Sequence, residues 1–192
     1  QMNQCLKLIQ RYAQDQFLVF TSTKKWGRAF LDFLKANKIS SCDFHNADKK
    51  RPELTIIEQA FRTRQLRVLI STQTLSAGVN LPAPRVIIAH VSYGKNKDVP
   101  VYELQQKEGR AGRLGCDTEG DSYILVPSED QSYHQTRIEQ GEPIRSCLQH
   151  ELGLVFHLLG EIAYGNVKDL DTAKQWYQRS LSYHQTHTMP LV

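Results

Sequence analysis

Five short strand-like runs, most of them apolar, constrain the fold of this chain more than any other feature. Residues 16–20 read Gln-Phe-Leu-Val-Phe and residues 66–71 read Leu-Arg-Val-Leu-Ile-Ser, with companions at 39–44, 85–90 and 122–126. Continuous apolar runs of this length suit strands covered on both faces, as in a parallel sheet. Helical stripes lie between them. Apolar residues fall at 2, 5, 6, 8, 9, 12 and 13, and Trp26, Ala29, Phe30, Phe33 and Leu34 line one side of residues 24–37. Leu54, Ile57, Ala60 and Phe61 follow Pro52, which sits well in a first helical turn, and residues 101–108 read as a further helix. The alternation predicts an α/β fold: an open, largely parallel sheet flanked by helices. Such sheets bind ligands in the loops beyond the carboxyl ends of their strands. Three polar stretches are expected there: 21–25, 72–81 and 109–113. Residues 94–100 read as a polar loop.

After Pro127 the composition shifts. Residues 128–145 form a polar, acidic connector, and 147–164 and 169–181 carry amphipathic helical patterns. The expected division is a first domain over 1–140 and a connector with a small, mostly helical domain over 141–192. Charge is uneven along the chain: net +7 over residues 1–70, +3 over 71–116 and −6 over 117–192. A basic front suits a polyanion partner such as nucleic acid or a nucleotide, or forms a solvated face.

No run of about 18 apolar residues is present, so no membrane span is expected. The chain opens at Gln1 without an initiator Met, which suggests a piece of something longer. Cys5, Cys42, Cys116 and Cys147 form no C-x-x-C pair. Neither a zinc site nor a disulfide framework is indicated, and an intracellular compartment, cytoplasmic or nuclear, is expected. His150-Glu151 begins an H-E-x-x-H pattern, but Leu154 occupies the second histidine position.

Two stretches carry chemistry. In residues 106–113, Gln-Lys-Glu-Gly-Arg-Ala-Gly-Arg, each of Arg110 and Arg113 follows a glycine. Guanidinium groups bond phosphate in a bidentate fork, and glycines permit close approach and positive φ. The stretch is either a phosphate-facing arginine pair or a basic surface turn. Residues 72–82, Thr-Gln-Thr-Leu-Ser-Ala-Gly-Val-Asn-Leu-Pro, follow a buried strand. Their hydroxyls and backbone N–H groups either hold phosphate oxygens or satisfy the local backbone.

Together the two stretches resemble the paired late motifs of superfamily 2 helicases. Ala77-Gly78-Val79-Asn80-Leu81-Pro82-Ala83 with Gln106-x-x-Gly-Arg-Ala-Gly-Arg is similar to the superkiller-like group. Residues 141–148, Gly-Glu-Pro-Ile-Arg-Ser-Cys-Leu, resemble the connector of the HelQ and polymerase-theta helicase type. Residues 18–24 are similar to the strand-end motif opening that family's second motor domain. Residues 44–48 resemble its His-Ala-Gly-Leu stretch, with Asp48 in place of a usual glycine and its turn geometry in question. Lys107 replaces a usual methionine.

The resemblance implies a RecA-like second motor domain followed by part of a winged helix. It implies that Arg113 is an arginine finger on the ATP γ-phosphate, that Arg110 assists, and that Gln106 couples nucleotide to the domain interface. Gly78, Asn80 and Gly109 would line the nucleotide cleft. Thr21, Ser22, Thr72 and Thr74 would touch the nucleic-acid backbone. ATP and Mg2+ are the implied cofactors. The implied partners are single-stranded or forked DNA, with RNA the less favoured polymer, and a first motor domain of the same chain. The implied role is a 3′-to-5′ DNA helicase of repair and replication-fork processing.

The chain carries no G-x-x-x-x-G-K-[ST]: Gly94-Lys95 is followed by Asn96, and Ala89 stands at the first glycine position. It has no Asp-Glu-x-His or Asp-Glu-x-Asp run either. The phosphate cradle, magnesium carboxylate and water-activating acid are therefore expected on an upstream domain. By itself the chain is expected not to hydrolyse ATP usefully and to hold no metal. An RNA helicase of the same group and a non-hydrolysing nucleic-acid-binding module are the alternatives; a dinucleotide enzyme lacks its G-x-G-x-x-G.

Overall fold

The computed structural model describes residues 1–75, 81–94, 97–112 and 119–190. They fall into two compact units, Gln1–Glu142 and Pro143–Val192.

The first unit is built on a parallel sheet. Strands β1 (Phe17–Phe20), β2 (Cys42–His45), β3 (Val68–Ser71) and β4 (Arg85–Ile88) are joined by a fifth at Asp121–Ile124, in the order β2-β3-β1-β4 and then the fifth. Every pairing is parallel: Phe17 faces both Val68 and Arg85, and Ile88 faces Ile124. All carboxyl ends therefore lie on one edge. The central strands β1 and β3 are buried along their whole length, as their unbroken apolar sequences require. Helices α1 (Met2–Arg11) and α2 (Lys24–Ala36) cover one face, through Cys5, Leu6, Ile9, Phe30 and Leu34 against Phe17, Val19, Val68, Ile70 and Ile87. Helices α3 (Arg51–Arg62) and α4 (Val101–Glu108) cover the other, through Ile57, Phe61 and Leu104 against Leu18, Phe20, Leu69, Val86 and Ile88.

Local chemistry fixes the helix ends. Thr23 accepts a hydrogen bond from the Trp26 N–H at 3.2 Å, capping α2. Glu53 reaches back to the Lys50 N–H at 2.9 Å in front of α3. The Arg67 guanidinium donates to the carbonyls of Ile9, Tyr12 and Asp15, binding the chain that leaves α1. That chain turns at Tyr12, so α1 ends before the last two residues of its apolar stripe, Tyr12 and Ala13.

The described residues of the stretch expected to be a polar loop include strand residues. Ser92–Gly94 (β5) and Lys97–Asp98 (β6) pair antiparallel, and Val99 N–H bonds Val91 O at 2.8 Å. Strands this short carry no legible alternation. The fifth sheet strand, Asp121–Ile124, is β7. A single 3-10 turn (Ser128–Asp130) and helix α5 (Gln131–Gln140) then end at Gly141, whose φ of 73° suits glycine.

In the second unit, helices α6 (Glu151–Tyr164), α7 (Leu170–Gln178) and α8 (Leu181–Thr186) pack around Leu154, Val167, Ala173 and Tyr177. Residues 169–181 are two helices rather than one, because Ser180 caps α8 by accepting from the Tyr183 N–H. Buried Ser182 and Tyr177 share a 2.7 Å hydrogen bond. Gln185 ties the segment before α6 to α8: it donates to Ile144 O at 2.6 Å and accepts from Ser146 N at 3.1 Å. Among the described residues no helix is long and apolar enough to cross a membrane.

Candidate functional site

Those of the residues singled out in the sequence that the structure describes fall at two opposite edges of the sheet. Thr21 and Ser22 leave β1, and Thr72 and Thr74 leave β3, its direct neighbour, so the four gather at the carboxyl edge. Their hydroxyls are not equivalent. Thr21 is buried, and its Oγ1 lies 3.3 Å from His90 Nδ1. Thr74 Oγ1 lies 2.8 Å from His45 Nδ1 and 3.2 Å from Ser71 Oγ. His45 is itself held by Glu58, 3.2 Å from its Nε2, and Arg51 lies 3.3 Å from the same carboxylate. Burial pushes the His45 imidazole below its ordinary pKa, against the opposing pull of Glu58. By contrast Ser22 and Thr72 are half-buried, and no hydrogen bond holds their hydroxyls among the described residues.

Gly109 and Arg110 lie at the other end of the strands, which corrects the expected carboxyl-edge placement. Helix α4 starts beside Val91, past the end of β4, and runs back across the sheet. Beyond it, Ala83 N–H bonds Arg110 O at 3.0 Å and Gly112 N–H bonds Ala83 O at 2.8 Å, forming an isolated parallel bridge between Ala83 and Ala111. Ala83 precedes β4, so this bridge is at the amino edge. The right-handed crossover that follows a parallel strand carries the helix from one edge to the other. Gly109 closes α4 at φ −61°, so it does not supply the positive φ that the sequence suggested; Gly112, at φ 84°, does. Gly120 packs against it: a Cβ there would sit 2.4 Å from Gly112 N. Gln106 is exposed in the last turn of α4, and Arg110 is half-buried just past it. Arg113, Gly78 and Asn80 lie outside the described residues.

Helix α4 is anchored along its length. At its start the Glu142 carboxylate accepts from Val101 N–H at 2.9 Å, where the helix dipole favours negative charge. Arg137 pairs with Glu142 and donates to Val99 O at 2.6 Å. The Arg137 hydrogen bond and the Val101 N–H together hold the Glu142 carboxyl below its usual range. At the other end Lys107 is 5% exposed, its Nζ 3.9 Å from Glu103. Burial lowers the Lys107 pKa, and Glu103 opposes it.

The helicase conserved C-terminal domain family matches residues 1–115. The chain belongs to that family. Its relatives give it the type: it is a superfamily 2 helicase C-terminal domain of the superkiller-like group. It is 35% identical over 182 residues to the ATP-dependent DNA helicase Hel308 of Pyrobaculum calidifontis, an alignment covering 91% of this chain and 25% of that protein. It is 39% identical over 139 residues to DNA polymerase theta of Mus musculus, covering 70% of this chain and 5% of that protein. The chain thus spans about a quarter or less of the length of these relatives. Among solved structures it resembles a Dbp5 variant of S. cerevisiae bound to RNA and ADP BeF3, with a TM-score of 0.63 and 20% identity over 72% of this chain and 35% of that one. That likeness is one of fold, and it agrees with a RecA-like sheet.

The helicase domain's two departures from its family pattern have structural answers. Asp48 does not need a glycine's conformation, since its φ is not positive. Asn46 Oδ1 accepts the Asp48 N–H at 2.9 Å and forms the turn, and the Asp48 carboxylate pairs with Lys24 and, at 2.6 Å, with Arg28. Lys107 is accommodated by Glu103 one helical turn earlier, a pair legible in the sequence from its i,i+4 spacing. Other members of the site left no such signal. His45 with Glu58, Tyr93 with Glu103 and Glu142 with Val101 are brought together only by the sheet order and the crossover.

Proposed function

We propose that this helicase C-terminal domain is the second motor domain, joined to the start of a winged helix, of an ATP-dependent 3′-to-5′ DNA helicase acting in DNA repair and replication-fork processing. In this reading Arg113 contacts the γ-phosphate of ATP held by a first motor domain, and Arg110 assists. Gln106 couples the nucleotide to the domain interface, with Gly78, Asn80 and Gly109 lining the cleft. Ser22 and Thr72 make the contacts of the nucleic-acid edge, and Thr21 and Thr74, bonded inward to His90 and His45, stand behind them. The observation that supports it most is the separation just described. One edge presents hydroxyls suited to sugar and phosphate, and the other ends a helix in Gln106, Gly109 and Arg110. A strand of four residues at about 3.3 Å each sets the edges roughly 10–13 Å apart.

The amino edge fits one side of a triphosphate. It offers a guanidinium and an amide, and among the described residues no cluster of acids, histidines or cysteines suited to a metal occurs. In this reading the magnesium ligands belong to the first motor domain, and this chain is inactive without it. Hydrolysis of ATP supplies the free energy. The chain's own residues hold the nucleotide's far side and place positive charge where the transferring phosphoryl group spreads its negative charge, an arrangement worth about a thousandfold or more in rate. Hydroxyl contacts at the carboxyl edge hold a strand without reading its sequence.

The test is ATP hydrolysis by a chain carrying both motor domains, with single-stranded DNA or RNA added at matched salt. Stimulation by DNA above RNA is expected. Stronger stimulation by RNA overturns the choice of polymer, and the absence of any stimulated hydrolysis overturns the motor reading.

A further inference from the structure

Four side chains outside the proposed contacts form one continuous polar path between the two edges. Gln73 is exposed at the carboxyl edge, between Thr72 and Thr74, in a 3-10 turn over Gln73–Leu75. Its Nε2 donates to the Tyr93 hydroxyl and, at 3.2 Å, to Glu103 Oε2. Tyr93, on β5, donates its own O–H to the same carboxylate oxygen. Glu103 sits one turn before Lys107, whose buried ammonium it faces at 3.9 Å. Lys107 follows Gln106 directly and lies two residues before Gly109. The path therefore joins the segment leaving β3 to the last turn of the helix that presents the arginine.

Two physical features make it more than surface decoration. Glu103 is the one carboxylate that faces the Lys107 ammonium among the described residues, so a change in how Glu103 is held is felt by a charge that has little water. Burial and Glu103 both raise the Tyr93 pKa, so the phenol keeps its proton and stays a donor. The β5–β6 pair holds Tyr93 in place, while Asp98 on β6 accepts from the Tyr133 hydroxyl of α5 at 2.8 Å.

We propose that Gln73, Tyr93, Glu103 and Lys107 are positioning residues that pass strand contact at the carboxyl edge to the Gln106–Arg110 turn at the amino edge. The proposal rests on the nucleic-acid reading of the carboxyl edge. A strand phosphate beside Thr72 competes for the Gln73 amide. Glu103 then loses one of its two donors, turns further toward Lys107, and moves the end of α4. None of the four touches nucleotide; they act through Arg110 and its neighbours.

The test uses amide NMR spectra of the 192-residue chain titrated with single-stranded oligo-deoxythymidine. In the wild type, the amides of Gly109, Arg110 and Ala111 are expected to shift along the same saturation curve as those of Ser22 and Thr72. In Tyr93→Phe, the shifts at Gly109, Arg110 and Ala111 are expected to fall at least threefold, while those at Ser22 and Thr72, and the Kd, stay within twofold. Glu103→Gln, which keeps the size of the carboxylate and removes its charge, gives the same pattern and serves should the first variant fold poorly. A purely structural role would lower Tm and leave the ratio of the two sets of shifts unchanged; that result overturns the relay. So does a wild type in which Thr72 moves and Gly109 does not. If neither Ser22 nor Thr72 responds, the nucleic-acid edge itself is wrong and the relay goes with it.

Discussion

The two ends of the same five strands are built in different ways. At the carboxyl edge side chains do the organising: Thr21 is tied to His90, and Thr74 to His45, Glu58 and Ser71. At the amino edge the backbone does it. Ala83 is clamped between Arg110 and Gly112 by two main-chain hydrogen bonds, and Gly120 packs on Gly112 where no side chain fits. A side-chain edge can change its bonds one at a time and suits a polymer that must slide. A backbone edge changes only by moving as a block and suits a charge that must be held in place.

The largest effect should come from the amino edge. Arg113→Ala, in a chain with both motor domains, is expected to lower strand-stimulated ATP hydrolysis by about a thousandfold, the worth of a guanidinium at a transferring phosphoryl group. Strand binding should change little. A variant that hydrolyses ATP normally, or loses strand affinity in proportion, would break the division of labour between the edges. Next comes Gly120→Ala. The added Cβ meets backbone rather than a movable side chain, so overpacking should cost about 1–3 kcal/mol, read from chemical denaturation of the 192-residue chain. An unchanged midpoint would mean that the amino edge yields as readily as the other.

How much of this was legible in the sequence differs between the same two edges. The strands were readable because β1 and β3 are buried on both faces and must be apolar throughout. The residues of the carboxyl edge were readable too, since they directly follow those strands. The place of Gly109 and Arg110 was not, because a crossover helix carries its last residues to the opposite edge, and no local pattern records that. The partners of Thr21 and Thr74 were hidden for a related reason: His90 and His45 lie 69 and 29 residues away in sequence and are joined by parallel pairing. The β5–β6 pair was too short to alternate visibly, so Tyr93 gave no hint of its contact with Glu103.

Within the carboxyl edge, outward and inward hydroxyls should separate cleanly. Ser22→Ala and Thr72→Ala are each expected to weaken single-strand binding a few-fold and leave stability unchanged, since one neutral hydrogen bond contributes about 0.5–1.5 kcal/mol. Thr74→Val should do the reverse: it leaves His45 Nδ1 and Ser71 short of a partner and costs about 1 kcal/mol of stability or more. Fluorescence anisotropy with a labelled strand and thermal melts measure the two quantities. If Thr74→Val weakens binding while the melt is unmoved, its hydroxyl faces the strand after all.

The smallest effect is in acid, and it too belongs to one edge. Burial depresses the pKa of both His45 and His90, and both stand at the carboxyl ends of their strands. Between each folded pKa and the unfolded value near 6.5, the unfolded chain binds more protons than the folded one. Stability from these histidines is therefore complete above about pH 6.5 and is lost as pH falls through the folded values. For His45 the sign is set by two opposed effects: burial and the nearby Arg51 and Lys49 disfavour the imidazolium, while Glu58 favours it. His45→Gln removes the titration and keeps a polar side chain. Its midpoint should fall at neutral pH through loss of the Thr74 and Glu58 bonds, yet its decline from pH 7.5 to 5 should be shallower than in the wild type, with the remaining slope due in part to His90. A steeper decline would mean that Glu58 outweighs burial and that the imidazolium is the form the carboxyl edge was built to hold.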